Sequence, residues 1–111
     1  MRVTLSHSHG EEEIRRIADQ TVDQVLALHG PGFRLTPTAK RWEGRKLTFS
    51  LIVAVGPFQS PIAGFILCAP TEVTIDIDLP PLLARLLPEK TLQESVEQKV
   101  RRLLRLPGHQ N

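Results

Sequence analysis

The sequence predicts an α+β fold in which an antiparallel sheet of about five strands, in β-α-β-β-β-β-α order, carries helices packed on one face. Three observations lead there. Glu72 to Leu79 alternates strictly, with Val73, Ile75, Ile77 and Leu79 apolar and Glu72, Thr74, Asp76 and Asp78 polar. Such alternation marks a strand with one wet face, which antiparallel sheets permit. Two segments, one from Ile14 and one from Leu92, repeat apolar residues at helical spacing with charged residues opposite. Glycine and proline breakers separate the short apolar runs between them, which places the middle strands in hairpin succession.

Taken in chain order, Val3, Leu5 and His7 alternate with Thr4, Ser6 and Ser8 as a first strand. Ser8 stands three residues before Glu11, the spacing of a capping box, so a helix is expected to follow. Ile14, Ile17, Ala18, Thr21, Val22, Val25 and Leu28 form its apolar side, and Gly30-Pro31-Gly32 ends it. Glu11 and Arg15, like Glu12 and Arg16, are spaced to pair along the helix. Phe33-Arg34-Leu35 opens the next strand, which Pro37 interrupts, so its best pairing is expected at Lys40-Arg41-Trp42. Gly44 turns the chain into Leu47 to Val55, whose inward set is Leu47, Phe49, Leu51, Val53 and Val55. Gly56 to Pro61 reads as a loop, Ile62 to Ala69 as an apolar strand bent at Gly64, and Pro70-Thr71 as the turn into the alternating strand. A leucine-dense segment follows, Pro80-Pro81-Leu82-Leu83-Ala84-Arg85-Leu86-Leu87-Pro88. Thr91 and Glu94 repeat the capping-box spacing before a last helix striped by Leu92, Val96, Val100, Leu103 and Leu106. One domain over residues 1–106 and a disordered C-terminal tail at 107–111 are expected.

The chain has 111 residues, 41% hydrophobic and 23% charged, with a formal net charge of +2. These values describe a folding domain, not a disordered or polybasic chain. A single cysteine, Cys68, allows no intrachain disulfide and fits a reducing compartment. The N-terminal residues lack a signal-peptide pattern, and no segment has the length of a spanning helix, so a cytoplasmic location is expected.

Chemistry-bearing residues are sparse. His7 and His9 are spaced to share a strand face, but His29, His109 and Cys68 follow no metal-site spacing, so no metal or cofactor is expected. Cys68 lies in an apolar strand, where a thiol acts as a small hydrophobe. Asp76 and Asp78 share a face that points away from the core, where both are solvated. No phosphate loop or nucleophile elbow is present, and the protein is read as a non-enzyme. Two surfaces are candidates for contact. Lys40, Arg41, Trp42, Arg45 and Lys46 place an aromatic among cations on one hairpin, a pattern suited to an anionic polymer or headgroup layer, or simply to a solvated turn over a core tryptophan. Leu82, Leu83, Leu86 and Leu87 need cover, from the core itself, from a second copy of the chain, or from an external apolar surface.

These residues also carry a family resemblance. Ser6-His7-Ser8 with Gly10, Arg41-Trp42-Glu43-Gly44 before Leu47-Thr48-Phe49, and Val73 to Leu79 followed by Leu82-Leu83 resemble the polyhydroxyalkanoic acid system family, over roughly His7 to Leu106. Gly30 to Thr38 and Gly56 to Pro61 depart from that pattern as longer loops. The element order also resembles the TATA-binding-protein-like or helix-grip architecture, an analogy of fold alone. The family resemblance implies a bacterial cytoplasmic accessory protein of polyhydroxyalkanoate metabolism, with no catalytic or binding residues to carry over. A polyester granule or its proteins would then be the partner of the leucines. A small hydrophobic-ligand carrier of helix-grip type and a homodimeric interaction module are the alternatives. Nucleic-acid binding ranks lower, because the hairpin displays a single aromatic ring.

Overall fold

A computed structural model describes residues 1–27, 29–30, 32–81, 85 and 89–105. The fold is α+β: strand β1 (Arg2–Ser6), helix α1 (Glu11–Gln20), a π-helical turn (Thr21–Val25), strands β2 (His29–Gly30), β3 (Phe33–Glu43), β4 (Lys46–Val55), β5 (Phe58–Cys68) and β6 (Glu72–Asp78), then helix α2 (Glu89–Arg105). The strands form one antiparallel sheet in the order β1-β6-β5-β4-β3-β2. Among the described residues there are six strands where the sequence suggests about five. The addition is β2, two residues of the expected helix end that pair with Phe33 and Arg34.

Both long hairpins close through two-residue turns. Glu43 pairs with Lys46 around Gly44-Arg45, and Val55 pairs with Phe58 around Gly56-Pro57. Gly44 and Gly56 take φ of 63° and 58°, and among the described residues only glycines adopt positive φ. A positive φ followed by a negative one makes a type II′ turn, whose twist matches that of the flanking strands. The expected loop from Gly56 to Pro61 is therefore only a turn, with β5 beginning at Phe58. Pro37 is accommodated by a register shift between Pro37 and Ala39 that leaves Thr38 opposite no partner. Beyond Arg34 no strand among the described residues pairs with the outer side of β3, so the missing proline N–H disturbs no described ladder there.

The helices share the face that displays Val3, Leu5, Leu35, Leu47, Phe49, Leu51, Val53, Ile62, Ile66, Val73, Ile75 and Ile77, all buried. Against them pack Ile14, Ile17, Ala18, Val22, Val25 and Leu26 from the first helical stretch and Leu92, Val96 and Val100 from α2. The predicted apolar sides of both helices and of β4 and β6 are thus buried where they are described, with Val55, Leu79 and Leu103 partly covered at the margins; Leu28 and Leu106 lie outside the described residues. The helix starts differ. Gly10, not Ser8, is the N-cap of α1, and no side chain caps it; Glu11, Glu12 and Glu13 fill the first turn, where acid complements the helix dipole. Helix α2 begins at Glu89, which puts Thr91 inside it and not at its cap. The first helix also widens. Thr21 donates its hydroxyl to Ile17 O at 2.8 Å, and the Leu26 amide reaches back five residues to Thr21 O at 2.9 Å. This π-type step carries Leu26 into the core, a position that regular helical spacing leaves off the stripe.

Candidate functional site

The first cluster forms where β1 meets α1. Strand β1 stops at Ser6, and His7 bends over the β5–β6 turn: its amide donates to Thr71 O at 2.9 Å, and its Nε2 lies 2.8 Å from Ala69 O. The His9 amide donates to His7 Nδ1 at 3.1 Å. Because Nδ1 accepts, the His7 proton sits on Nε2, which donates to Ala69 O. His9 Nε2 donates to Leu104 O, 2.5 Å away in the last turn of α2, and the two rings stack with centroids 6.0 Å apart. Three of the four ring nitrogens therefore hold backbone together, joining β1, the β5–β6 turn and α2. A half-open cleft of about 250 Å³ adjoins them, lined also by Gly10, Glu11, Arg45 and Cys68. Among the described residues no three His, Cys, Asp or Glu side chains converge to hold a metal.

The hairpin of Lys40, Arg41, Trp42, Arg45 and Lys46 is not one surface. Lys40 opposes Phe49 and Trp42 opposes Leu47, so both face the helices; Arg41 opposes Thr48 and points to the other side of the sheet. Lys40 Nζ lies 2.7 Å from Asp23 Oδ2 and 3.3 Å from Asp19 Oδ1, and the hydrogen bond to Asp23 is the main cause that raises its pKa. Trp42 Nε1 donates to Asp19 at 3.3 Å, and the Arg15 guanidinium lies 4.3 Å from the indole centroid. Arg15 thus stacks on Trp42 and donates to Gly44 O at 3.3 Å, while Arg16 pairs with Glu13. Arg45 stands 3.7 Å from Glu11, and Lys46 lies 5.2 Å from the Phe65 centroid on the outer face. The acids of the helical stretch thus answer the inward cations.

Cys68 lies in the core at 4% exposure, its Sγ 4.0 Å from Ile14 O. Burial, with a smaller push from Asp19 and against the pull of Arg15, raises its pKa from 9.0 to about 11. On the outer face Asp78 is exposed, and Asp76 accepts from Arg2 at 2.7 Å. Leu82, Leu83, Leu86 and Leu87, like the tail at 107–111, lie outside the described residues. The structure adds a surface that joins Phe58, expected in a loop, to Phe33 and Val55, expected in strands. Phe33, Val55 and Phe58 oppose one another across β3, β4 and β5 on the core-facing side at the turn end of the β4–β5 hairpin. Phe58 is 52% exposed. Its signal was present in the apolar residues flanking Gly56-Pro57, once those two residues are read as a tight turn.

These features define a small α+β protein of one antiparallel sheet with helices on one face, its His7 and His9 committed to the backbone and its exposed aromatic at a hairpin end. The chain belongs to the family described as putative polyhydroxyalkanoic acid system protein, whose model matches residues 1–105. No curated protein and no solved structure matches it significantly. Two segments that carry the family resemblance meet in the fold: His7, His9 and Gly10 share the cleft with Arg45, directly after Arg41-Trp42-Glu43-Gly44.

Proposed function

We propose that the protein is a non-enzymatic accessory component of polyhydroxyalkanoate metabolism, located in the bacterial cytoplasm, that attaches to polyester granules or their coat proteins through an apolar end. The observation that supports this reading is the cross-strand row of Phe33, Val55 and Phe58, with Phe58 52% exposed. Family membership supplies the polyester context. Strand β6 runs toward the same end of the sheet, its last residue Asp78 opposing Ala63 of β5, before the chain enters the segment that holds Leu82, Leu83, Leu86 and Leu87. The proposal assigns those leucines to the same contact. Covering one aromatic side chain contributes about 1.5–3 kcal/mol, so a few such groups suffice for adsorption.

The test is co-sedimentation with isolated polyester granules. Phe58→Ser, and separately Leu83→Ser with Leu86→Ser, are expected to lower the bound fraction about tenfold while the circular dichroism spectrum stays native. An unchanged partition for both variants sinks the proposal. A helix-grip carrier has less behind it, since Leu47, Leu51, Val53 and Ile66 of the sheet and Val96 and Val100 of α2 are fully buried in the space such a ligand would need. Nucleic-acid binding is weakened by the acids that pair with Lys40.

A further inference from the structure

The outer face of the sheet, opposite the helices, is built differently from its wet rim. Its middle strand, β5, presents Pro61, Ala63, Phe65 and Leu67 outward as an apolar stripe, and Leu67 is 42% exposed. On one side of the stripe β6 displays Glu72, Asp76 and Asp78; on the other, β4 and β3 display Lys46, Arg41 and Arg34, with Glu43 the one acid among them. The register places Asp76 directly beside Phe65 and Lys46 directly beside Leu67, each one strand from the stripe.

We infer that this face binds a second copy of the chain. A twofold axis parallel to β5, lying between two such sheets, sets stripe on stripe and carries the acidic β6 side of one chain over the basic β4–β3 side of its mate. The patch is then its own complement, the requirement of an isologous interface. A uniformly acidic or basic partner meets repulsion on one half, and a bare polyester surface desolvates both halves with nothing to pair them. Arg2 and Asp76, 2.7 Å apart, offset each other, and Glu72 and Asp78 leave that side net acidic. The dimer face is distinct from the Phe58 end, so association and granule attachment are separately measurable.

Light scattering coupled to gel filtration, at rising protein concentration and low salt, tests the inference. The native chain is expected to reach the mass of two chains, and Leu67→Asp, at an exposed position, to keep the single-chain mass with native circular dichroism. Lys46→Glu and Asp76→Lys are each expected to weaken self-association, and an equimolar mixture of the two to recover it, because each chain then offers the charge that the other lacks. A single-chain mass for the native protein at every concentration, a two-chain mass unaffected by Leu67→Asp, or no recovery in the mixture overturns it.

Discussion

Gly64 is held under Phe49, its partner across β4 and β5, and beside the backbone of β6. A Cβ at this position would collide with Asp76 O and come within 2.7 Å of Phe49 Cζ. The oxygen belongs to a strand and the ring to the packed core, so neither yields easily. Gly64→Ala is expected to cost about 1–3 kcal/mol, measured as a lower urea midpoint with an unchanged slope. Cys68 gives a second residue-scale expectation. Its thiol has a folded pKa of about 11 against 9.0 unperturbed, so the folded chain holds the proton more tightly. That preference is fully present below pH 9 and is lost as pH rises toward 11, where the unfolded chain releases its proton first. Native stability should therefore fall by up to about 2–3 kcal/mol across that window, and the fall should be absent from Cys68→Ala. Paired urea titrations at the two ends of the window check it. The apolar character of Cys68 was legible from its strand; the depth of its burial under Ile14 was not.

At the scale of elements, β4, β6 and the buried stripes of both helices were legible because each is a local periodicity. The departures have long-range causes. The unpaired Thr38 changes the phase of β3: Pro37 faces the core opposite Leu51, and without the extra residue Arg41, not Lys40 or Trp42, would follow it inward. No spacing within residues 33–43 states which of them β4 leaves without a partner. The π-type turn likewise answers the space waiting for Leu26 in the core. Helix α2 is anchored at its last described turn by His9, which donates to Leu104 O. In His9→Ala, amide exchange is expected to quicken in residues 103–105 while Ile75 and Val96 stay protected, with a global loss of about 1 kcal/mol. Equal acceleration throughout the chain would show instead that His9 supports the whole core.

For the whole molecule, the fold class, the helical faces and the family were readable from residues that lie close together in the chain. Alternation, helical stripes and glycine turns are set by each residue's immediate neighbours, so a linear reading reaches them. It also marked the hairpin of Lys40 to Lys46, but as a single surface, which the pleat divides between the two faces of the sheet. Only the tertiary structure decided that division, the joining of β1, the β5–β6 turn and α2 through His7 and His9, and the gathering of Phe33, Val55 and Phe58 into one row. Each depends on register between strands or on contact between residues far apart in sequence, such as His9 and Leu104. Such pairings arise when a shared core is packed, because the energy that selects them is burial and hydrogen bonding summed over the assembled sheet and helices, which no short segment contains.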